Sequence, residues 1–234
     1  MGCYNRTKMK NFKLLSLALA LATGTSLSAA TILTSGSWDG ANKNLNHYFA
    51  AWGVGLDVNA DQMAGDEYWH SILSSGDNAV MLLEVAGHAP LNTFGIFQTG
   101  QSGITHTQIF NGAAGSGASA LLTVPTGAFG FYLEYKGKYF YSDPNLNGPI
   151  GGYDQLASYQ GPFGGVTTVG GVLWDQSSYL LAWEDLPYAS SDKDYNDMVL
   201  MIRVQEHQVP DSGATALMIL GGLATLIGLR RKLR

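Results

Sequence analysis

The sequence predicts an all-β protein whose body is a β-sandwich of the jelly-roll kind. Thirty of its 234 residues are glycine, while lysine and glutamate are scarce, which indicates many turns and few helices. Short apolar or alternating segments are separated by turn signals about every eight to twelve residues, as in β-sandwiches. The length leaves room for one domain with a proper core once the two ends are set aside.

Residues 1–30 predict a signal peptide with a signal helix. Basic residues precede an apolar stretch at 14–22, and residues 28–30 (SAA) are small enough for cleavage. We expect signal peptidase to cut before Thr31. Cys3 is the only cysteine of the sequence and lies in this segment, so the exported chain would contain no disulfide. An uncleaved membrane anchor is the alternative.

Nine segments of the body predict strands, by alternation or by short apolar runs bounded by turns. Within FYLEYKGKYFY, the pair Lys136-Gly137 predicts a tight hairpin with aromatic side chains on both strands. Residues 31–52 show no clean periodicity, and the glycine-rich residues 161–171 indicate a mobile connection. The predicted strands cover residues 79–86, 93–98, 104–110, 120–124, 129–136, 138–141, 172–174, 179–183 and 198–204.

The charge of the body excludes two classes of partner. Between residues 31 and 210 there are seventeen acidic and five basic residues, a net charge of −12, although the whole chain has −5. The remaining basic residues lie at the two termini. So acidic a body would repel nucleic acid and anionic lipid and attract cations.

The most concentrated charge lies between the last two predicted strands, in WEDLPYASSDKDYNDMVLMI at residues 183–202. Like charges within a few ångströms disfavour joint ionisation, so this loop needs a cation, backbone donors or shifted pKa values. Asp192-x-Asp194-x-Asn196 places oxygen atoms at alternate positions, as the first half of a calcium loop does. We predict a Ca²⁺ site, with a turn that caps its own backbone as the alternative. The predicted ligands are Glu184, Asp185, Asp192, Asp194, Asn196 and Asp197.

A second stretch, DPNLNGPIGGYD at residues 143–154, follows the calcium-loop pattern more closely. Oxygen-bearing side chains take the first, third and fifth positions, glycine the sixth and a carboxylate the twelfth. Pro144 and Pro149 stiffen the loop, no helices flank it and two asparagines replace carboxylates, so we expect weak affinity. The predicted ligands are Asp143, Asn145, Asn147 and Asp154.

A third oxygen-rich stretch is Asp57-x-Asn59-x-Asp61. Gln62 and Tyr68 stand where a calcium loop needs glycine and a carboxylate. We therefore expect a solvated turn here, with a cation site as the alternative.

The sequence contains no motif that indicates catalysis. Its five histidines have neither H-x-H nor H-E-x-x-H spacing, and no G-x-S-x-G elbow or phosphate-binding glycine loop occurs. Glu184 and Asp194 could hydrolyse a glycoside if held about 5–9 Å apart, but clustered acids serve a cation more simply. The aromatic residues could stack on sugars, although core packing explains them more simply. We expect no enzymatic activity.

The C-terminal tail has three parts in a fixed order. VPDSG at residues 209–213 is followed by sixteen uncharged residues, 214–229, and then by Arg230-Arg231-Lys232. Sixteen helical residues are about 24 Å long, which predicts a transmembrane helix with snorkelling flanks and the body outside. The tail, residues 209–234, resembles the VPDSG variant of the PEP-CTERM family of sorting signals. The resemblance implies cleavage by an exosortase and transfer to the cell surface or extracellular matrix, and a plain single-span anchor is the alternative.

The body carries a second resemblance, in three ordered blocks. They are AVMLLEVAGHAPLNTFGIFQ, YFYSDPNLNG and AWEDLPYASSDKDYNDMVLMI. Together, over about residues 75–205, they resemble a domain of unknown function found in exosortase-sorted and other bacterial surface proteins, which closes on an acidic ED…DxD(F/Y)ND block. Trp183 stands where that family usually has phenylalanine, and Ser190-Ser191 replace a glycine-rich pair. The resemblance implies no established activity.

The sequence as a whole predicts an exported protein whose β-sandwich body, residues 31–208, is stabilised by Ca²⁺ and has a structural or adhesive role. A carbohydrate- or exopolysaccharide-binding module is the alternative, and a glycoside hydrolase is less favoured. The expected partners are signal peptidase and an exosortase during export, the membrane before processing, and exopolysaccharide at the surface. Nucleic acid is not expected.

Overall fold

The computed structural model describes residues 29–38, 43–69, 77–85, 88–162, 165 and 167–203. Most of the predicted signal peptide and the sorting tail with its predicted helix at 214–229 lie outside these ranges. Among the residues described, no helix is long and apolar enough to cross a bilayer.

The described part of the chain is built mainly of strands, as the sequence predicts. One α-helix, α1, covers Leu45–Trp52, and two short 3-10 helices cover Ala89–Leu91 and Pro144–Ile150. The strands are β1 Asn78–Leu83, β2 Asn92–Gly100, β3 Gly103–Phe110, β4 Ser119–Leu121, β5 Gly130–Tyr135, β6 Lys138–Tyr141, β7 Leu156–Gln160, β8 Thr167–Val169, β9 Val172–Trp174, β10 Ser178–Trp183 and β11 Met198–Arg203. The all-β prediction is confirmed.

The strands form two main antiparallel sheets and a separate hairpin. One sheet has the order β4-β1-β11-β10-β7, and the other has the order β3-β2-β5-β6. Strands β8 and β9 pair only with each other. Strands β10 and β11, which border the acidic stretch, are therefore neighbours near the centre of the larger sheet.

The hairpin predicted from FYLEYKGKYFY is present as β5 and β6. Lys136 and Gly137 connect the strands with φ angles of 50° and 77°. Two consecutive residues with positive φ match the right-handed twist of a two-residue hairpin. Aromatic side chains lie on both strands, and the rings of Tyr132 and Tyr139 meet at 5.5 Å between centroids.

Side chains of both main sheets share one apolar core. Phe94 of β2 and Trp183 of β10 belong to opposite sheets, and their ring centroids lie 6.2 Å apart. Leu133 of β5 and Leu200 of β11 are buried in the same cluster. Buried side chains of both sheets therefore belong to one cluster.

A second core covers the outer face of the larger sheet. Phe49 of α1 packs on Tyr159 of β7, with ring centroids 5.0 Å apart, and Val199 and Met201 of β11 join the same cluster. Strand β11 is thus buried on both faces from Met198 to Ile202. A strand covered on both sides reads as a nearly continuous apolar run.

Three elements were not predicted from sequence. Helix α1 lies in the stretch without periodicity and is defined by its caps: the Asn44 side chain accepts from the N–H of His47 at 3.1 Å, and Gly53 ends the helix with φ 73°. Strand β7 was missed, and β8 lies within the expected mobile connection at 161–171. Gly161 is packed closely there, because an added Cβ would lie 1.9 Å from the carbonyl oxygen of Asp175.

Candidate metal centre

The register of β10 and β11 brings the two ends of the acidic loop together. Trp183 pairs with Met198, so the loop at residues 184–197 leaves β10 and enters β11 at the same end of this strand pair. The backbone N–H of Asp185 donates to Oδ2 of Asp197 at 2.8 Å. Residues distant in sequence therefore contribute to one site.

Three carboxylates of this loop converge. One oxygen each of Glu184, Asp192 and Asp194 lies within 4.8 Å of the others. Glu184 is 1% exposed and Asp194 is fully buried, while Asp192 is half-buried. Oxygen ligands at about 2.3–2.6 Å from a calcium ion are separated by at most about 5 Å, against about 4.2 Å around magnesium. Three oxygens that all lie within 4.8 Å of one another are thus within the separation that one calcium ion allows.

Hydrogen bonds from within the loop and from the N-terminal segment offset part of the carboxylate repulsion. Oε1 of Glu184 accepts from the N–H of Tyr195 at 2.6 Å, and Oε2 accepts from the hydroxyl of Ser191. Oδ2 of Asp192 accepts from the N–H of Trp38 at 2.6 Å. The segment before α1 is thereby joined to the acidic loop.

Asn196 adds a buried acceptor that lacks a donor. Its side-chain Nδ2 donates to Oδ2 of Asp194 at 2.8 Å and to the carbonyl oxygen of Lys43. Its Oδ1 is buried and has no hydrogen-bond partner among the described residues. A buried, unpaired carbonyl oxygen costs free energy unless a ligand satisfies it. An amide oxygen on a side chain that contacts the Asp194 carboxylate is the kind of ligand that Ca²⁺ takes.

The backbone of the loop is held in an uncommon conformation. Lys193 and Tyr195 have φ angles of 59° and 51°, in the left-handed region that disfavours residues with a Cβ. The N–H of Leu33 donates to the carbonyl of Lys193 at 2.9 Å, and the N–H of Leu45 donates to that of Asp194 at 2.8 Å. These long-range bonds hold the strained residues in place.

Burial and mutual repulsion raise the pKa values of these acids. Burial is the largest cause and raises the pKa of Glu184 to about 7 and that of Asp194 to about 8, with neighbouring carboxylates adding to both. The pKa values of Asp185 and Asp197 are raised for the same reasons. Lys193, the one base of the loop sequence, places its ammonium 4.3 Å over the ring of Tyr188. Positive charge close to these acids would therefore favour their ionised form.

Asp185 and Asp197 face a depression beside the converging carboxylates. This open cavity of about 310 Å³ is also lined by Trp38, whose side chain is 58% exposed, and by His88. Asn92 Nδ2 donates to Oδ2 of Asp185 at 3.0 Å. The cavity therefore combines carboxylates with an exposed indole ring.

The loop at residues 143–154 is arranged differently. Asn147 is fully buried; its Oδ1 accepts from the N–H of Tyr141 at 2.8 Å, and its Nδ2 donates to the carbonyls of Tyr141 and Tyr153. Oδ1 of Asp143 accepts from both nitrogens of Asn145, at 2.9 and 3.0 Å. A 3-10 helix occupies most of the loop. Three of the predicted ligands, Asp143, Asn145 and Asn147, thus form hydrogen bonds within the loop or to its flanks.

Asp154, the last predicted ligand of that loop, interacts with the carboxylate of Asp66. Burial raises its pKa to about 8, and the charge of Asp66 adds to the shift. Asp66 is itself buried and accepts from the hydroxyl of Ser158. The predicted ligands of residues 143–154 therefore do not share one set of partners, since Asp143 and Asn145 bond to each other, Asn147 bonds to backbone groups and Asp154 interacts with Asp66.

The stretch at residues 57–61 is a solvated turn, as its sequence indicates. Oδ1 of Asp57 accepts from the N–H groups of Asn59 and Ala60 at 2.9 and 3.0 Å, and the residue is exposed. Asn59 bonds to both backbone groups of Ile32. The oxygen-bearing side chains here bond to nearby or N-terminal backbone.

Sequence reasoning did not identify several residues that form hydrogen bonds with the acidic cluster. Ser191, Trp38 and the carbonyl of Lys43 all contact it, and only Ser191 lies in the stretch that the pattern highlighted. No spacing rule connects residues 38 and 43 to a loop 150 residues later. Their contacts depend on the second core, which places the N-terminal segment over the sheet.

Comparisons with known proteins agree with both resemblances in the sequence. Residues 106–205 match the family model of a domain of unknown function, DUF4114, and residues 208–233 match the VPDSG-CTERM motif. The chain carries a DUF4114 domain and a VPDSG-CTERM sorting motif. No curated protein matches the chain. The DUF4114 match begins later than the resemblance over residues 75–205 suggests.

The sorting motif indicates an exported surface protein, processed by an exosortase during export. The DUF4114 region extends from the middle of β3 to the end of β11 and includes every acid of the acidic cluster. Strands β1 and β2 and helix α1 lie before it, although β1 and β2 are paired within its two sheets. The matched region is therefore only part of the folded body.

Proposed function

We propose that this is a cell-surface or extracellular-matrix protein whose β-sandwich body is stabilised by Ca²⁺ and has a structural or adhesive role. The single observation that carries the proposal is the convergence of the Glu184, Asp192 and Asp194 oxygens. Asn196, whose Nδ2 donates to Asp194 and whose Oδ1 is buried without a partner among the described residues, adds to it. The core shared by the two sheets supports the sandwich.

Calcium would act at the point where the two central strands meet. It would replace the protons that the buried acids otherwise retain, and it would satisfy the Asn196 oxygen. Because the cluster bonds to the N-terminal segment through Trp38 and Lys43, the ion would also fix the segment that covers the second core. Binding to the folded state alone raises stability with the concentration of the ion.

The stabilising role is tested by thermal unfolding of the purified full-length protein. We expect millimolar Ca²⁺ to raise the Tm relative to chelator, and Asp194→Ala to remove most of the gain. Asp143→Ala is the matched control, since it deletes an aspartate from the other loop and should leave the gain intact. No shift with either Ca²⁺ or chelator would rule out the stabilising role.

A second candidate function is a calcium-dependent carbohydrate-binding module. It is supported by the exposed indole of Trp38 at the rim of the acidic depression, because an aromatic face beside a cation can hold a sugar ring and its hydroxyls. Binding to an immobilised exopolysaccharide panel should require Ca²⁺ and be lost in Trp38→Ala. Tyr153→Ala removes another exposed aromatic ring and serves as the control.

The glycoside hydrolase alternative has less support. Glu184 and Asp194 are both buried, and their oxygens approach more closely than the about 5–9 Å that separates the carboxyl groups of glycosidases. A released reducing-sugar assay with Glu184→Gln as control decides this point.

A further inference from the structure

The chain enters the folded body one residue earlier than the sequence-predicted cleavage site. Ala30 is 5% exposed and belongs to the second core together with Ile32. The carbonyl oxygen of Ala30 accepts from Nε2 of Gln62 at 2.8 Å. A cut before Thr31 would remove a buried methyl group and leave the Gln62 amide without this acceptor.

The backbone N–H of Ala30 points at a buried carboxylate. It donates to the side chain of Asp154, and both residues line a cavity of about 200 Å³ that Ala29 and Thr31 also border. The residues that follow are fixed as well, since Asn59 bonds to the N–H and the carbonyl of Ile32 at 2.9 and 3.1 Å. The nitrogen of Ala30 is therefore held in a defined place.

Among the described residues, no basic side chain acts on Asp154. The charged side chains that act on it are those of Asp66 and Glu67, both carboxylates, and its own burial raises its pKa to about 8. Asp66 is buried beside it, and its pKa is raised to about 6, mainly by burial. A buried carboxylate in such surroundings gains most from a cation that also donates a hydrogen bond.

We infer that signal peptidase cleaves between Ala29 and Ala30, and that the new α-ammonium of Ala30 is the buried counter-charge of Asp154 and Asp66. The inference rests on the proposed export of the chain and is independent of Ca²⁺. Hydrolysis breaks the C–N bond; water supplies oxygen to the Ala29 carboxylate and hydrogen to the Ala30 amine, which then takes up a proton. Ala29 provides the small residue directly before this cut, whereas the A-x-A pattern, which also asks for a small residue two positions earlier, is met by Ser28 and Ala30 and not by Leu27.

Cleavage would then complete the fold. In the precursor, Asp154 faces a neutral peptide N–H, whereas in the mature chain it faces an ammonium with an ordinary pKa of about 7.7–8.0, which the carboxylates raise further. A charge-assisted bond is roughly twice as strong as its neutral counterpart. The mature body would be more stable than the precursor, which favours translocation before folding.

The first test is the N-terminus of the protein made as the full chain, with its own leader, in an exporting bacterial host. We expect mass spectrometry of the N-terminal peptide to show that it begins at Ala30. A peptide that begins at Thr31, or at any other residue after cleavage, overturns the inference but leaves the export proposal standing. A leader that remains attached overturns both.

The second test removes the charge without changing the sequence. Selective acetylation of the α-amine in the urea-unfolded exported protein at near-neutral pH, where this amine has its ordinary pKa, should after refolding lower the Tm by about 5 °C or more. Asp154→Asn should abolish that difference, while Asp143→Asn should keep it. Should Asp154→Asn fail to fold, Asp66→Asn replaces it and should reduce the difference. An equal fall in wild type and variants, or no fall, contradicts the ion pair.

Discussion

Two loops of this protein show the same alternation of oxygen-bearing residues and use it differently. Residues 143–154 match the calcium-loop pattern at five of its positions, yet Asn145 and Asn147 bond to their own loop or its flanks. Residues 184–197 match only its first half, yet they gather three carboxylates and leave the oxygen of Asn196 unpaired. The loop with the poorer pattern gathers the larger cluster of carboxylates.

The difference shows that spacing alone does not define a cation site. A cation needs side-chain oxygens that are not already bonded to the backbone once the loop has folded. In the first loop, proline and glycine let the chain turn back so that the side chains cap it. In the second loop, two paired strands bring both ends together, and the acids have fewer backbone donors than oxygens.

The largest expected effect is on the loop that we assign a structural role. Asn147→Ala should destabilise the protein by about 3 kcal/mol, because the backbone groups of Tyr141 and Tyr153 lose their buried partner. The loss, measured by urea unfolding, should be the same with and without Ca²⁺. A loss that depends on Ca²⁺ would make this loop a cation site after all.

An effect of no greater size, whose sign depends on Ca²⁺, is expected in the acidic loop. Asp194→Asn keeps the shape of the side chain and removes one of the mutually repelling acids. In chelator at pH 9 the variant should be at least as stable as the wild type, whereas in saturating Ca²⁺ it should be less stable by up to about 3 kcal/mol. Destabilisation of equal size in both conditions would mean that the carboxylate serves only as a hydrogen-bond acceptor.

A third effect is the pH dependence of the free energy of unfolding without Ca²⁺. The pKa values of Glu184 and Asp194, about 7 and about 8, exceed those of the unfolded chain, so between about pH 4 and pH 8 the folded state holds more protons. Stability in chelator should therefore fall as pH rises through this window. Because other groups also titrate in this window, the share of the cluster is the part of the slope that Asp194→Asn removes. A rising or flat profile would contradict the raised pKa values.

Much of the fold was predictable because its signals are local. The hairpin at Lys136-Gly137 and the central strands β10 and β11 follow from turn chemistry and apolar runs. Helix α1 was not predictable, since its two apolar anchors, Leu45 and Phe49, are too few to show a period. The acids of the site were predictable from their crowding. Their backbone donors from residues 38 and 43 were not, because tertiary packing places them there.

The most direct test of the central claim is a crystal of the full-length protein soaked in Ca²⁺ and measured where calcium scatters anomalously. The account predicts an anomalous peak bound by oxygens of Glu184, Asp192 and Asp194 at about 2.3–2.6 Å, with none in residues 143–154. A peak in that other loop, or carboxylates that contact only protein donors and water, would contradict it.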